Sequence, residues 1–349
     1  MSTSAPDNPA GGGGAADDPD GVGGGGSSGG GSTGPTCGEQ AFQISRAIPD
    51  MLIVLDRSYS MSEGGSPTLW DMSRTAIYDI TTAMDRQIWF GLYVFPSGTS
   101  PYNCNDYASD CKATGNALVA VGDAVSGSIK NALANMQACG SGTPTAAALT
   151  MAGQYIKGLP QNGHARAILL VTDGGPNCNA SLNPQSCVCS YGTQCWYAED
   201  CLDDTATNQA LDNLRAAGIK SYILGLGAAQ SLSSVLANLA QHGGTSAPYA
   251  ANDPASVKKA FTEIASGVAS CSFEIDCTKI QDVNKVNFYF DGKVVPRTTS
   301  HQSGWDWTTA CQAGSGKGTA EFFGADCTSI KGSSVKTVSA RFGCATMIE

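Results

Sequence analysis

The chain has 349 residues and a formal net charge of −10, with 20 basic residues against 30 acidic ones. That balance argues against nucleic acid as a partner, which requires a basic footprint, and no apolar run approaches the roughly 18 residues of a membrane-spanning helix. The 14 cysteines, an even number, imply disulfides and an oxidising compartment, and the 43 glycines with only 14% charged residues suit a loop-rich extracellular protein.

Residues 1–36 are Gly, Ser, Asp, Pro and Ala with almost nothing apolar, so they read as a flexible linker. Met1 is followed by neither a basic start nor an apolar stretch of the kind a secretory signal needs. The cysteines outweigh that absence. The expectation is a native start upstream, with the linker tethering an exported domain to a membrane or wall anchor. Met51-Leu52-Ile53-Val54-Leu55 then reads as a strand covered on both faces, because it shows no polar alternation. Asp56-Arg57-Ser58-Tyr59-Ser60 follows, and its alternate positions Asp56, Ser58 and Ser60 offer hard oxygen atoms at that strand's carboxyl end. Ligands bind there in doubly wound sheets. One carboxylate and two neutral hydroxyls suit a small hard cation such as Mg²⁺. Asp and Ser are also favoured caps and turn residues, so this segment alone is a weak signal.

Leu69, Met72, Ala76, Ile80 and Ala83 recur at helical spacing, and Trp89 to Phe95 reads as the next strand. Gly142-Thr143-Pro144-Thr145 is a loop running into a helix over Ala146-Ala147-Ala148-Leu149. Arg166 to Thr172 is a second buried strand and ends in Thr172-Asp173-Gly174-Gly175, again a carboxylate at a strand's carboxyl end. Leu211, Leu214 and Ala217 form a helical stripe, Ile219 to Leu226 a strand, and Leu232, Val235, Leu236 and Leu239 another helical face. Asp253-Pro254 caps a helix whose inner face is Val257, Phe261, Ile264 and Val268.

Asp-x-Ser-x-Ser after a strand, a loop Thr before a helix, and a later strand-end Asp-Gly occur here in that order. Together they resemble the metal-ion-dependent adhesion site (MIDAS) of von Willebrand factor A-type domains. The resemblance covers about residues 45–270. It implies an α/β fold, a doubly wound and mostly parallel sheet of the von Willebrand A, Rossmann-like kind, which the alternation of strands and helices also suggests. The ligands it implies are Asp56, Ser58, Ser60, Thr143 and Asp173, with Thr145 competing for the threonine role. The three hydroxyls would coordinate directly and the two carboxylates largely through water, leaving one position open for a carboxylate of the partner. Tyr59 places an aromatic near the rim of that site. The choice among Mg²⁺, Mn²⁺ and Ca²⁺ stays open. The Asp56 loop is expected at the surface, where the sheet does not rest on it.

After Cys271 the helical pattern stops. Lys285 to Val295 reads as a strand, an Asp-Gly turn and a second strand; Thr319 to Phe323 and Val335 to Phe342 add two more. Residues 37–270 are therefore expected to form the A-type domain and 271–349 a small, disulfide-stapled β-rich module. Its Gly304-Trp305 and Phe342-Gly343-Cys344 resemble a C-terminal module of secreted bacterial members of the family. In some members a disulfide joins the two ends of the A-type domain, which implies a Cys37–Cys271 bridge here, with Cys37–Cys277 as its competitor. Cys277–Cys311 and Cys327–Cys344 would then staple the module. Cys104, Cys111, Cys139, Cys178, Cys187, Cys189, Cys195 and Cys201 fall in connections and their pairing stays open. Residues 175–201 are long for a strand-helix connection, so their cysteines are expected to hold them beside the metal site as a wall of the ligand site. Zinc is the competing reading of these cysteines, but they lack paired Cys-x2-Cys knuckles.

Ala313 to Thr319 resembles a phosphate loop only superficially and reads better as a hairpin loop. No Gly-x-Ser-x-Gly elbow occurs, and His164, His242 and His301 are remote in sequence from the metal loops. The sequence therefore points to a non-enzymatic, secreted or cell-surface adhesion protein. Its cation would bridge to an acidic residue on a protein or matrix partner. A structural component of an extracellular assembly with a vestigial site is the alternative. A metal-dependent hydrolase would need a general base that the sequence does not supply.

Overall fold

β3 (Asp50–Asp56) organises the fold, because each of its seven side chains is buried. The computed structural model describes residues 41–42, 45–46, 48–97, 111–113, 115–138, 140, 142–160, 164–190, 192–227, 232–314, 316–331, 334–335 and 337–348. The linker 1–36, Cys37, Cys104, Cys139 and Ser315 lie outside them. Two short strands, β1 (Ala41–Phe42) and β2 (Ser45–Arg46), precede β3. Then come α1 (Leu69–Met84), β4 (Trp89–Phe95), β5 (Val119–Gly122), α2 (Ser126–Ala134), α3 (Thr145–Lys157), β6 (Arg166–Thr172), α4 (Asp204–Ala216), β7 (Lys220–Leu226), α5 (Ser233–His242), β8 (Tyr249–Ala251) and α6 (Pro254–Val268).

Six of these strands form one sheet in the order β5-β4-β3-β6-β7-β8. Only β5 runs antiparallel to its neighbour. Successive residues of β3 serve two cores, as a strand covered on both faces requires. Met51, Ile53 and Leu55 pack with Ile77 of α1 and Phe261 of α6, whereas Leu52 and Val54 pack with Leu149 of α3 and Leu211 of α4. Two helices, α1 and α6, begin at side-chain caps. The Thr68 side chain accepts from the Asp71 N–H, and Asp253 accepts from the N–H groups of Ala255 and Ser256 with Pro254 in the first turn. From β3 the chain builds to one side through β4 and later returns to the other side as β6. The crevice between the carboxyl ends of β3 and β6 is thus the topological switch point.

The C-terminal region contains β9 (Ser272–Asp276), β10 (Val286–Phe290), β11 (Lys293–Val295), β12 (Trp305–Thr309), β13 (Lys317–Phe322), α7 (Gly324–Lys331) and β14 (Val338–Phe342). They form two antiparallel sheets, β1-β14-β10-β11 and β12-β13-β9-β2. The sheets share one core, in which Phe288 meets Phe322 edge-on at 5.3 Å and Trp305 at 4.5 Å between ring centroids. The β10–β11 turn uses Asp291 and Gly292, both at positive φ (47° and 84°), as a two-residue hairpin with a right-handed twist requires. β1 and β2, which the sequence groups with the A-type domain, complete these two sheets instead, Ala41 opposite Arg341 and Ser45 opposite Glu274.

Two disulfide expectations are overturned. Cys271 pairs with Cys327 at a Cα separation of 5.4 Å, which rules out both Cys37–Cys271 and Cys327–Cys344. The reason is local: β9 starts at Ser272 and carries Cys271 into the sandwich core beside α7. Cys344 is disulfide-bonded as well. Cys277 does pair with Cys311, at 5.5 Å.

Candidate metal centre

Three loops converge at the switch point, and backbone hydrogen bonds interlock them. Leaving β3, Arg57 donates its N–H to the Phe95 carbonyl at 2.7 Å and its Nε–H to the Pro96 carbonyl at 3.0 Å, tying the first loop to the end of β4. Tyr59 N–H donates to the Gly140 carbonyl at 2.7 Å, tying the same loop to the segment before α3. That segment is tied in turn to the loop after β6, where Asn177 N–H donates to the Thr143 carbonyl at 2.9 Å.

Asp56, Ser58, Ser60, Thr143 and Asp173 all meet here. The Asp56 carboxylate accepts the Ser58 N–H at Oδ1 (2.8 Å) and the Thr172 hydroxyl at Oδ2 (2.6 Å). Ser58 Oγ lies 3.1 Å from Ser60 Oγ, which donates to Asp173 Oδ1 at 3.0 Å. Thr143 joins through Gly174, whose Cβ, had it one, would lie 4.0 Å from Thr143 Oγ1. Thr145 starts α3 and donates its hydroxyl to the Thr143 carbonyl at 3.3 Å.

The expectation of a surface loop is corrected: Asp56, Arg57 and Ser58 are 0%, 4% and 2% exposed. Only Tyr59 stands out, at 64%. Sequence reasoning also missed Thr172. Its signal was the parallel register, since Leu55 opposite Val171 puts Asp56 opposite Thr172. None of the histidines is near. His164 lies beside Asp50 at 2.8 Å, at the other end of β3 and about 20 Å from Asp56 along the strand. His242 pairs with Asp212 and His301 with Asp306.

Burial pushes the Asp56 carboxyl up to about 6, against the hydrogen bonds from Thr172 and Ser58. Burial, and then the negative charge of Asp56, push Asp173 up to about 7. Two carboxyls that resist ionising side by side, with serine and threonine hydroxyls around them, form a donor set that a hard cation fits.

Beside this centre, residues 176–203 fold back on themselves. Cys187–Cys201 and Cys189–Cys195 close them internally, and Cys111–Cys178 ties their start to the chain after β4. These pairings replace the zinc reading of that cluster. Val188, Trp196 and Tyr197 are each 70% exposed on this insertion.

Residues 51–176 match the family model of the von Willebrand factor type A domain. The chain carries a von Willebrand factor A-type domain. The match begins one residue into β3 and ends just past Asp173, so it spans all three loops of the centre. Among solved structures, the pilus adhesin SpaC from Lactobacillus rhamnosus GG aligns over 84% of this chain with 16% identity and a TM-score of 0.47. The chain spans 39% of that adhesin's length. A variant of the PilB minor pilin from Streptococcus sanguinis aligns over 64% of this chain and 62% of its own, with 16% identity and a TM-score of 0.45. Proximal thread matrix protein 1 from the mussel byssus, with a zinc-occupied MIDAS motif, aligns over 67% of this chain and 51% of its own, at 14% identity and a TM-score of 0.41. No protein of curated function matches significantly.

The raised carboxyls of the A-type domain set a pH dependence. Both are raised from an ordinary value of 3.8, so between about pH 4 and 7 the folded chain binds more protons than the unfolded one. Stability from this pair is full below pH 4 and is lost as the pH rises through 6 and 7. Thermal melts in chelator should therefore fall by several degrees from pH 5 to pH 8. Saturating Mg²⁺ should restore the loss at pH 8 and do little at pH 5. Melts at pH 8 that ignore the cation would contradict this.

Proposed function

We propose that this protein is an extracellular ligand-binding protein whose A-type domain holds a divalent cation, Mg²⁺ or else Mn²⁺ or Ca²⁺, and uses it to grip an acidic residue of a protein or matrix partner. Ser58, Ser60 and Thr143 would hold the ion through their hydroxyls, with Asp56 and Asp173 behind them. The observation that carries the reading is a pair of neighbouring carboxyls, the buried Asp56 and the half-buried Asp173, ringed by hydroxyls at the switch point of the sheet. Once bound, the ion supplies a positive centre that mostly neutral ligands leave electrophilic toward a carboxylate.

The chain's own residues do the rest. Thr172 and the Ser58 N–H fix the rotamer of Asp56, and the bonds of Arg57 to Phe95 and Pro96 hold the loop against β4. Among the described residues Thr143 Oγ1 has no hydrogen-bond partner, whereas the Thr145 hydroxyl is engaged with the Thr143 carbonyl. That contrast favours Thr143 as the ligand. The disulfides support secretion or display at the cell surface.

Capture of the purified protein on a panel of matrix proteins, each with a copy whose carboxylates are chemically blocked, tests the reading. Binding should need Mg²⁺, vanish with chelator and with blocked carboxylates, fail for Thr143→Ala and persist for Thr145→Ala. Binding that ignores chelator would move the protein to the structural class.

A further inference from the structure

We infer that Asn177 is a positioning residue that sets the cation affinity of this centre by pinning Thr143 to the disulfide-stapled insertion; the inference rests on the cation reading above. Asn177 lies one residue beyond the segment that matches the family model. It takes up both backbone polar groups of Thr143. The Thr143 N–H donates to Asn177 Oδ1 at 2.6 Å, and Asn177 N–H donates to the Thr143 carbonyl at 2.9 Å. With N–H and C=O both clamped, the backbone that aims Oγ1 is fixed and only the hydroxyl is left over.

The other end of the same carboxamide faces the insertion. Asn177 Nδ2 donates to Ser190 Oγ at 3.0 Å, and Ser190 donates both its hydroxyl (3.0 Å) and its N–H (2.9 Å) to the Asp200 carbonyl. The Asp200 carboxylate accepts the N–H groups of Trp196 and Tyr197 at 3.0 and 2.9 Å. Ser190 follows Cys189 and Asp200 precedes Cys201, so the two staples hold the far end of this relay. Cys178, next to Asn177, is held through Cys111. The carboxamide supplies an acceptor toward Thr143 from its oxygen and a donor toward Ser190 from its nitrogen, both on one short side chain. Partners that orient a metal ligand without touching the metal typically change affinity 10- to 100-fold when removed.

Titration of the full chain with Mg²⁺ in a calorimeter, together with hydrogen exchange at the Thr143 amide in metal-free protein, tests this. Asn177→Ala should weaken Mg²⁺ binding about 10-fold or more and speed Thr143 exchange. Ser190→Ala, which cuts only the link to the insertion, should move both in the same direction by less, and carries the test if Asn177→Ala does not fold. Asn179→Ala is the control: its carboxamide donates to Asp203 at 2.8 Å in the same insertion without touching Thr143, so both readouts should stay at wild type. Wild-type affinity and exchange in Asn177→Ala, or in Ser190→Ala where that variant alone folds, would overturn the inference, as would equal losses in Asn179→Ala. If the wild-type chain binds no Mg²⁺, the cation reading falls, and Thr143 exchange alone decides whether Asn177 pins that segment.

Discussion

Asp56→Asn is expected to lower Mg²⁺ affinity by more than about 100-fold while leaving the metal-free fold as stable as wild type or more so. The two halves come from one fact. Burial disfavours the Asp56 charge, and that charge in turn disfavours the ionisation of Asp173, so in the metal-free chain it works against the fold rather than for it. Asparagine still accepts from the Ser58 N–H or the Thr172 hydroxyl, and so removes the charge with little loss of hydrogen bonding. Asp56→Ala is a poorer probe. It orphans the Ser58 N–H in a buried place, at about 1–3 kcal/mol, and leaves the Thr172 hydroxyl only the Gly174 carbonyl at 3.4 Å. Calorimetry with Mg²⁺ and thermal melts in chelator check the two halves separately. Equal affinity in wild type and Asp56→Asn would mean that the centre is misassigned.

The second large effect concerns the C-terminal sandwich. Cys271–Cys327 closes a loop with a sequence separation of 56, and both sulfurs belong to the core that holds Phe288 and Trp305. In the chain-entropy account, closing such a loop stabilises by about 4 kcal/mol. The paired variant Cys271→Ser with Cys327→Ser should therefore lower the melting temperature on the order of 10 °C. Peptide mapping without reduction should recover the 271–327 link. A link from Cys271 to any other cysteine, or a melt identical to wild type, would contradict the structure.

What the sequence made legible was whatever depends on short range. β3 and β6 are apolar runs bounded by Asp56 and Asp173, and an unbroken run marks a central parallel strand without help from the rest of the chain. The helical faces of α1, α5 and α6 follow from period alone, though Met84 rather than Ala83 closes the buried stripe of α1. The five oxygen-bearing residues could be named because a strand's end fixes where the next residues point. Their burial could not, since it comes from Arg57 folding back on β4 and from the insertion covering the third loop. Cys271 shows the other limit. Its partner depends on how β9 enters a sheet that β2 and β13 complete from distant parts of the chain, and no local pattern carries that. The role of Asn177 was hidden likewise, because it depends on a contact made across 34 residues of sequence.

Anomalous diffraction from crystals grown with Mn²⁺ should show an ion ringed by the hydroxyls of Ser58, Ser60 and Thr143, in front of Asp56 and Asp173 at the carboxyl ends of β3 and β6, and no such ion in crystals of Asp56→Asn. Mn²⁺ bound elsewhere with that crevice empty, or an equal peak in the variant, would mean that these residues do not hold the cation.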